Sequence, residues 1–264
     1  MQIHLIAIDP QVDFCDPKGA LYVAGADRDM ERLAAMINRL GRKINQIHVT
    51  LDSHRVIDVA HPIFWIDSKG NHPAPFTLIN EDDVVNGRWT TFYPGWRQRG
   101  LDYVKALKAN NRYLLCIWPP HCIIGSKGHS IYPMVSDALI KWETDNFRIV
   151  DFVTKGSNIF TEHYSAVKAD VPDSADPSTM TNSRLIDILQ TADVILITGE
   201  ALSHCVCNTV NDIADNFDVS NIKKFVLLTD TTSNVPGFEN LGKDFVKNMV
   251  ARGMQLSTST EFLK

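Results

Sequence analysis

The sequence has no apolar run that approaches the roughly 20 residues a membrane-spanning helix requires, so a membrane partner or a membrane-embedded chain is not expected. It also lacks positive charge in excess: 26 Lys and Arg against 31 Asp and Glu leave a net charge of −5. That balance gives nucleic acid no electrostatic footing, and no nucleic-acid partner is expected. No G-x-G-x-x-G and no P-loop occurs, and Gly125-Ser-Lys-Gly-His-Ser is not one, so nucleotide binding is unsupported. The five cysteines (Cys15, Cys116, Cys122, Cys205, Cys207) form no C-x-x-C pair, which argues against a dithiol redox site. Met1 to Asp9 reads as a short strand that runs into an acid, without the basic stretch and cleavage site of a signal peptide. A cytoplasmic protein with free thiols is therefore expected.

What is present is ordinary in bulk and specific in arrangement. A 44% hydrophobic and 22% charged chain of 264 residues suits a soluble globular protein. Short apolar runs at Ile3–Ile8, Ile47–Leu51, Tyr113–Ile117, Arg148–Val153, Val194–Thr198 and Lys224–Leu228 read as strands. Helical spacing appears over Asp27–Arg42, with acids in its first turn and bases at its end, and over Cys205–Phe217, Leu185–Leu189 and Phe245–Val250. Apolar strands separated by helices predict an α/β fold: an open, mainly parallel sheet with helices on both faces, in three layers. Neither an internal repeat nor linker composition is visible, so one domain over residues 1–264 is expected. Residues 62–97 show no clean period and are read as an insertion that forms a lid or a subunit contact, in a homo-oligomer.

In open α/β sheets ligands gather beyond the carboxyl ends of the strands, so the residues that follow each strand are the first candidates. Asp9 follows the first strand, Asp52 and His54 the second, Trp118-Pro-Pro-His121 the third, Lys155 the fourth, and Gly199 to Cys205 the fifth. Cys205 falls where a strand turns into a helix; helix N–H groups there would favour a thiolate and could hold an oxyanion. A buried structural thiol is the plainer alternative. Asp9 is either a hydrogen-bonded structural acid or a proton acceptor, and Lys155 either a solvated base or a counter-charge. Asp52 and His54, two apart at a strand end, point the same way and can share a metal, with His121 as third ligand and His61 as a further candidate.

At these residues the sequence resembles the nicotinamidase/pyrazinamidase branch of the isochorismatase-like cysteine hydrolases. The resemblance is carried by Asp9-Pro-Gln-Val-Asp-Phe14, Asp52-Ser-His54, Trp118-Pro-Pro-His121-Cys122, Lys155-Gly with Tyr164-Ser-Ala, and Gly199-Glu-Ala-Leu-Ser-His-Cys205-Val. It implies that Asp9, Lys155 and Cys205 are catalytic, with Cys205 the nucleophile. The backbone N–H groups of Ala201 and Cys205 would form the oxyanion hole, and Phe14 and Trp118 would flank the substrate ring. A divalent metal, zinc first and iron or manganese as alternatives, would sit on Asp52, His54 and His121. The resemblance also implies a cis peptide at Glu200–Ala201. The expected reaction is deamidation of nicotinamide or a close pyridine or pyrazine carboxamide through a thioester, a step of pyridine nucleotide salvage toward NAD. The sequence departs from the family pattern in Leu202 for Thr, Val167 for Phe, an acid at Glu200 and a longer stretch between His54 and His121. The competing readings are a metal-independent amidohydrolase of a carbamoyl or ureido substrate and a non-catalytic small-molecule-binding module.

Overall fold

The computed structural model describes residues 1–110 and 113–264. Six parallel strands make the central sheet: β1 (Ile3–Ile8), β2 (Gln46–Asp52), β3 (Asp151–Lys155), β4 (Val194–Gly199), β5 (Phe225–Leu228) and β6 (Gln255–Ser257), in spatial order β6-β5-β4-β1-β2-β3. The first strand is central. It pairs with β2 from His4↔Gln46 to Ala7↔Val49 and with β4 from Ile3↔Val194 to Ile8↔Gly199. Every β1 side chain is buried, which explains why this strand reads as an unbroken apolar run rather than an alternating one.

The layers around the sheet are α1 (Ala26–Leu40), α2 (Arg97–Asn110), α3 (Pro133–Asn146), α4 (Ser183–Gln190), α5 (Cys207–Asp215) and α6 (Glu239–Ala251). In α1, Met30, Leu33, Ala34, Ile37 and Leu40 are buried, as their spacing predicts, and Asp27 and Asp29 occupy the first turn. It packs against α3, while α5 packs against α6. Asn182 caps α4 by accepting from the Leu185 N–H at 3.1 Å. No helix among the described residues is long and apolar enough to cross a membrane. The α/β class and its parallel sheet thus follow the sequence reading, with three differences. Tyr113–Ile117 does not join the main sheet; within it Leu115–Cys116 pairs antiparallel with Leu78–Ile79. The sixth main strand is β6, whose three residues hold one exposed leucine between two polar side chains and so give no apolar run. The helix expected from Cys205 begins as a π-helical turn, Leu202–Val206, and becomes α-helical at Cys207.

Connections from β1 lead outward to β2 and β3, whereas those from β4 lead the other way to β5 and β6. The direction of winding therefore reverses between β1 and β4, and a crevice opens at their carboxyl ends. Asp9 and the Gly199–Cys205 turn leave from those two ends.

Residues 62–97 comprise pieces of two to five residues: a 3₁₀ turn at Pro62–Phe64, short strands at Trp65–Ile66, Leu78–Ile79 and Thr90–Thr91, and a helix at Glu81–Val85. Pieces this short cannot display a period. The segment is anchored to the body, because Phe64 and Trp65 are fully buried and Trp65 Nε1 donates to Val59 O at 2.7 Å. Trp65→Ala should cost about 3–5 kcal/mol of stability, as expected for emptying a fully buried aromatic site. Urea denaturation would check this, and a midpoint close to wild type would show the segment to be detachable.

Candidate active site

Asp9 leaves β1 with φ of +46°, and its carboxylate is fully buried. Thr50 on β2 holds it: the hydroxyl donates to Asp9 Oδ1 at 2.5 Å and accepts from the Asp9 N–H at 3.0 Å. The register that pairs Asp52 with Lys155 brings the ends of β2 and β3 together. Lys155 Nζ consequently lies 2.9 Å from Asp9 Oδ2, 3.1 Å from Asp52 Oδ1 and 3.7 Å from Cys205 Sγ. Gly156 follows with φ of +87°, where a Cβ would stand 2.8 Å from Asp52 Oδ1, so only glycine lets the chain pass there.

Burial works against the charge on Lys155, but Asp52 and Asp9 outweigh it and hold the ammonium well above its ordinary range. The same burial pushes the Asp9 carboxyl up despite the neighbouring Lys155. Cys205 differs from expectation. Burial pushes its thiol well above the ordinary range, and Lys155 opposes this while the Asp9 and Asp52 charges reinforce it. That direction is the opposite of the shift that helix N–H groups alone would give. The reasons are depth and position: the residue is 5% exposed and sits in the π turn before α5, beside two carboxylates.

The turn itself is closely fitted. Gly199 has φ of +113°, and a Cβ there would strike Ile8 O at 2.0 Å. The Glu200–Ala201 peptide is cis, as the resemblance implied. Among the described residues the Ala201 N–H donates to no other group, while Ala201 O accepts from the N–H groups of His204 and Val206.

Beside this set, and sharing Asp52 with it, lies a cluster of imidazoles. Asp52 Oδ2 is 3.1 Å from His54 Nε2 and 3.5 Å from His121 Nε2. His121 Nδ1 donates to Pro119 O at 2.9 Å, which leaves Nε2 facing Asp52. The His54 ring is oriented by Asp58, 3.0 Å from Nδ1. Ligand atoms of Asp52, His54 and His121 all lie within 4.8 Å of one another. The His61 ring centroid is 5.2 Å from that of His54 and 5.5 Å from that of His121, and its Nε2 is buried without a hydrogen bond. Burial pushes His61 down to about 4, so it is a neutral donor. Buried imidazole nitrogens without partners, carboxylate beside them and no thiolate in the group fit a divalent ion that accepts N/O ligands.

Phe14 and Trp118 line a cavity of about 30 Å³ together with Asp52, His121, Ala201 and Cys205. The Trp118 indole donates to Tyr164 Oη at 2.7 Å. Phe76, from the 62–97 segment, meets Trp118 edge-on at 5.8 Å, so that segment reaches the wall of the site. All of the residues singled out in the sequence thus converge on one rim. Three that were not singled out join them. Thr50 steadies Asp9, Asp58 orients His54, and Glu162 Oε1 lies 3.8 Å from His54 Nε2. Burial, reinforced by the Asp58 and Asp52 charges, pushes the Glu162 carboxyl up to about 8, although His54 opposes it. Asp58, four residues after His54, had a local signal. Glu162 had none.

No protein-family model and no curated protein sequence matches the chain. Solved structures do. The yeast nicotinamidase aligns over 97% of this chain and 99% of its own at a TM-score of 0.65 and 18% identity. The Acinetobacter baumanii nicotinamidase/pyrazinamidase aligns over 99% and 98% at 0.67 and 20%. The Pyrococcus horikoshii pyrazinamidase, solved in complex with zinc, aligns over 98% and 99% at 0.58 and 18%. The chain shares the α/β fold of these structures over 97–99% of its length.

Proposed function

We propose that this chain is a cysteine hydrolase that deamidates nicotinamide, or a closely related pyridine or pyrazine carboxamide, to the acid and ammonia. One observation carries the reading: Asp9, Lys155 and Cys205 meet through a single ammonium, next to a histidine cluster that shares Asp52. The fold held in common with solved nicotinamidases supports it, and we take residues 1–264 as one domain with an insertion at 62–97.

In this reading the Cys205 S–H proton passes to Asp9 as sulfur forms a bond to the carboxamide carbon. The C=O electron pair moves onto oxygen, which the backbone N–H groups of Ala201 and Cys205 receive. When the C–N bond breaks, Asp9 returns the proton to nitrogen and ammonia leaves, with a thioester on Cys205. Water then adds to the thioester, Asp9 takes its proton, and release of the acid restores the thiol. Lys155 keeps the charge near Asp9 and the sulfur balanced throughout. Phe14 and Trp118 hold the ring. A divalent ion on Asp52, His54 and His121, with His61 as a further donor, would fix the pyridine nitrogen; zinc is our assignment, with iron or manganese suiting the same donors. The metal-independent carbamoyl or ureido reading leaves the convergent imidazoles without a purpose, and a binding module leaves the Asp9–Lys155–Cys205 set without one.

Ammonia release from nicotinamide, with and without prior chelation, tests the proposal. We expect turnover that falls by about tenfold or more on metal removal, the size of effect that metal-site disruption has elsewhere, and that returns on adding zinc. Full turnover by the metal-stripped protein would remove the metal from the proposal, and turnover of a ureido compound in place of nicotinamide would favour the ureido reading. No ammonia from any carboxamide would remove the hydrolase reading altogether.

A further inference from the structure

One buried acid stands outside the mechanism. Glu200 occupies the nucleophile turn at a position where the resembled family has an apolar residue, and it is fully buried. Its Oε2 accepts from the Ser233 N–H at 3.0 Å. Its Oε1 is buried and receives no hydrogen bond, and Asp29 approaches the same serine from the other side by accepting from the Ser233 hydroxyl. Two buried, ionised carboxylates joined through one serine repel each other, and a proton on Glu200 removes that repulsion.

We propose that Glu200 is a positioning residue: by accepting from the N–H of Ser233, whose side chain Asp29 holds in turn, it fixes the Gly199–Ala201 backbone so that the Ala201 N–H faces the carbonyl attacked by Cys205. This rests on the function proposed above. The loop after β5 is stitched to the turn on both sides of Glu200. Gly199 N–H donates to Thr231 O at 3.1 Å, Leu202 N–H to Ser233 O at 2.7 Å, and Val235 N–H to Ser203 Oγ at 3.1 Å. Ser233 Oγ in turn donates to Asp29 Oδ2 at 2.5 Å, and Asp29 Oδ1 pairs with Arg32 at 2.5 Å. Glu200 thereby ties turn, loop and α1 together at one point. The titratable and charged groups around it are Asp29 and Arg32 from α1 and Cys15 from the Val12–Cys15 turn. Burial, reinforced by Asp29, lifts the Glu200 carboxyl well above its ordinary 4.5. An acid so raised stabilises the fold fully below its unfolded value and loses that contribution as pH climbs toward the folded one.

The test uses the full chain as wild type, E200Q, E200L and D29A. Pyridine-3-carbaldehyde is the probe: its carbonyl adds the Cys205 S–H to give a thiohemiacetal whose oxygen lies where the oxyanion forms. E200Q keeps an acceptor for the Ser233 N–H and should capture the aldehyde within about threefold of wild type. E200L should weaken capture by about tenfold or more, and lower kcat for nicotinamide with KM little changed, because a displaced donor is felt mainly at the oxyanion. Melting temperature read against pH should show E200Q gaining on wild type as pH rises above the ordinary carboxylate range, since only the acid has a proton to lose. Wild-type aldehyde affinity in E200L, or a pH-independent gap between E200Q and wild type, would overturn the proposal. If E200L does not fold, D29A reads the link from the other side, and unchanged capture there is equally decisive against it. A wild type that captures the aldehyde but releases no ammonia would sink the functional reading while the affinities of the variants still judge Glu200. A wild type that captures no aldehyde would overturn both.

Discussion

Cys205→Ala should abolish amide hydrolysis, by about four or more orders of magnitude, while the fold and metal content remain those of wild type. In the proposed mechanism the sulfur, 3.7 Å from Lys155 Nζ, forms the covalent intermediate. Asp9 is tied to Thr50 and to Lys155, and Lys155 is held as a cation, so neither can take over as nucleophile. Loss of one small buried thiol should shift stability by no more than about 1 kcal/mol, which separates a chemical defect from an unfolded protein. Cys207→Ala is the control: that residue lies one position beyond the π turn, at the start of α5, and its variant should remain active. Ammonia assays and melting curves on the two variants decide the matter. Near-normal turnover from Cys205→Ala would refute the mechanism.

Asp9→Asn should come next in effect, with kcat reduced by about 10²–10⁴-fold because the proton acceptor is lost. Asparagine is the apt replacement, since Asp9 sits at φ of +46°, a region that Asn tolerates better than most residues. The amide can still accept from Thr50, but Lys155 is left with Asp52 as its carboxylate partner. Unpairing one side of a buried charge cluster should lower stability by about 1–3 kcal/mol, less than full deletion because the shape is kept. Urea denaturation gives the second number and ammonia release the first. Activity within a few-fold of wild type would move the proton acceptor elsewhere.

Sequence made the strand ends legible because buried parallel strands are continuous apolar runs, and a charged residue directly after one is conspicuous. Asp9, Asp52, Lys155 and the Gly199–Cys205 turn were all found by that rule. It failed for β6, where a lone exposed leucine sits between Gln255 and Ser257, and for Leu115–Cys116, an apolar pair that belongs to a side sheet. Trp118 and His121 nevertheless reach the rim, because the chain after Leu115–Cys116 docks by other bonds: Trp118 N–H to Ala60 O at 2.7 Å, and His54 N–H to Cys122 O at 3.1 Å. Depth was the hidden variable at the nucleophile. The position of Cys205 near a helix start was readable, whereas its burial beside two acids, which reverses the expected thiol behaviour, was not. Glu162 and Thr50 act through distances that only the folded chain creates.

Asp52 gives each of its two oxygens a different duty: Oδ1 meets Lys155 at 3.1 Å and Oδ2 meets His54 at the same distance. Removing His54, His61 and His121 would therefore leave the acid at 52 with a lysine still to pair. An ion placed among the imidazoles would change the charge that Asp52 offers Lys155, and through that ammonium the surroundings of the Cys205 sulfur 3.7 Å away.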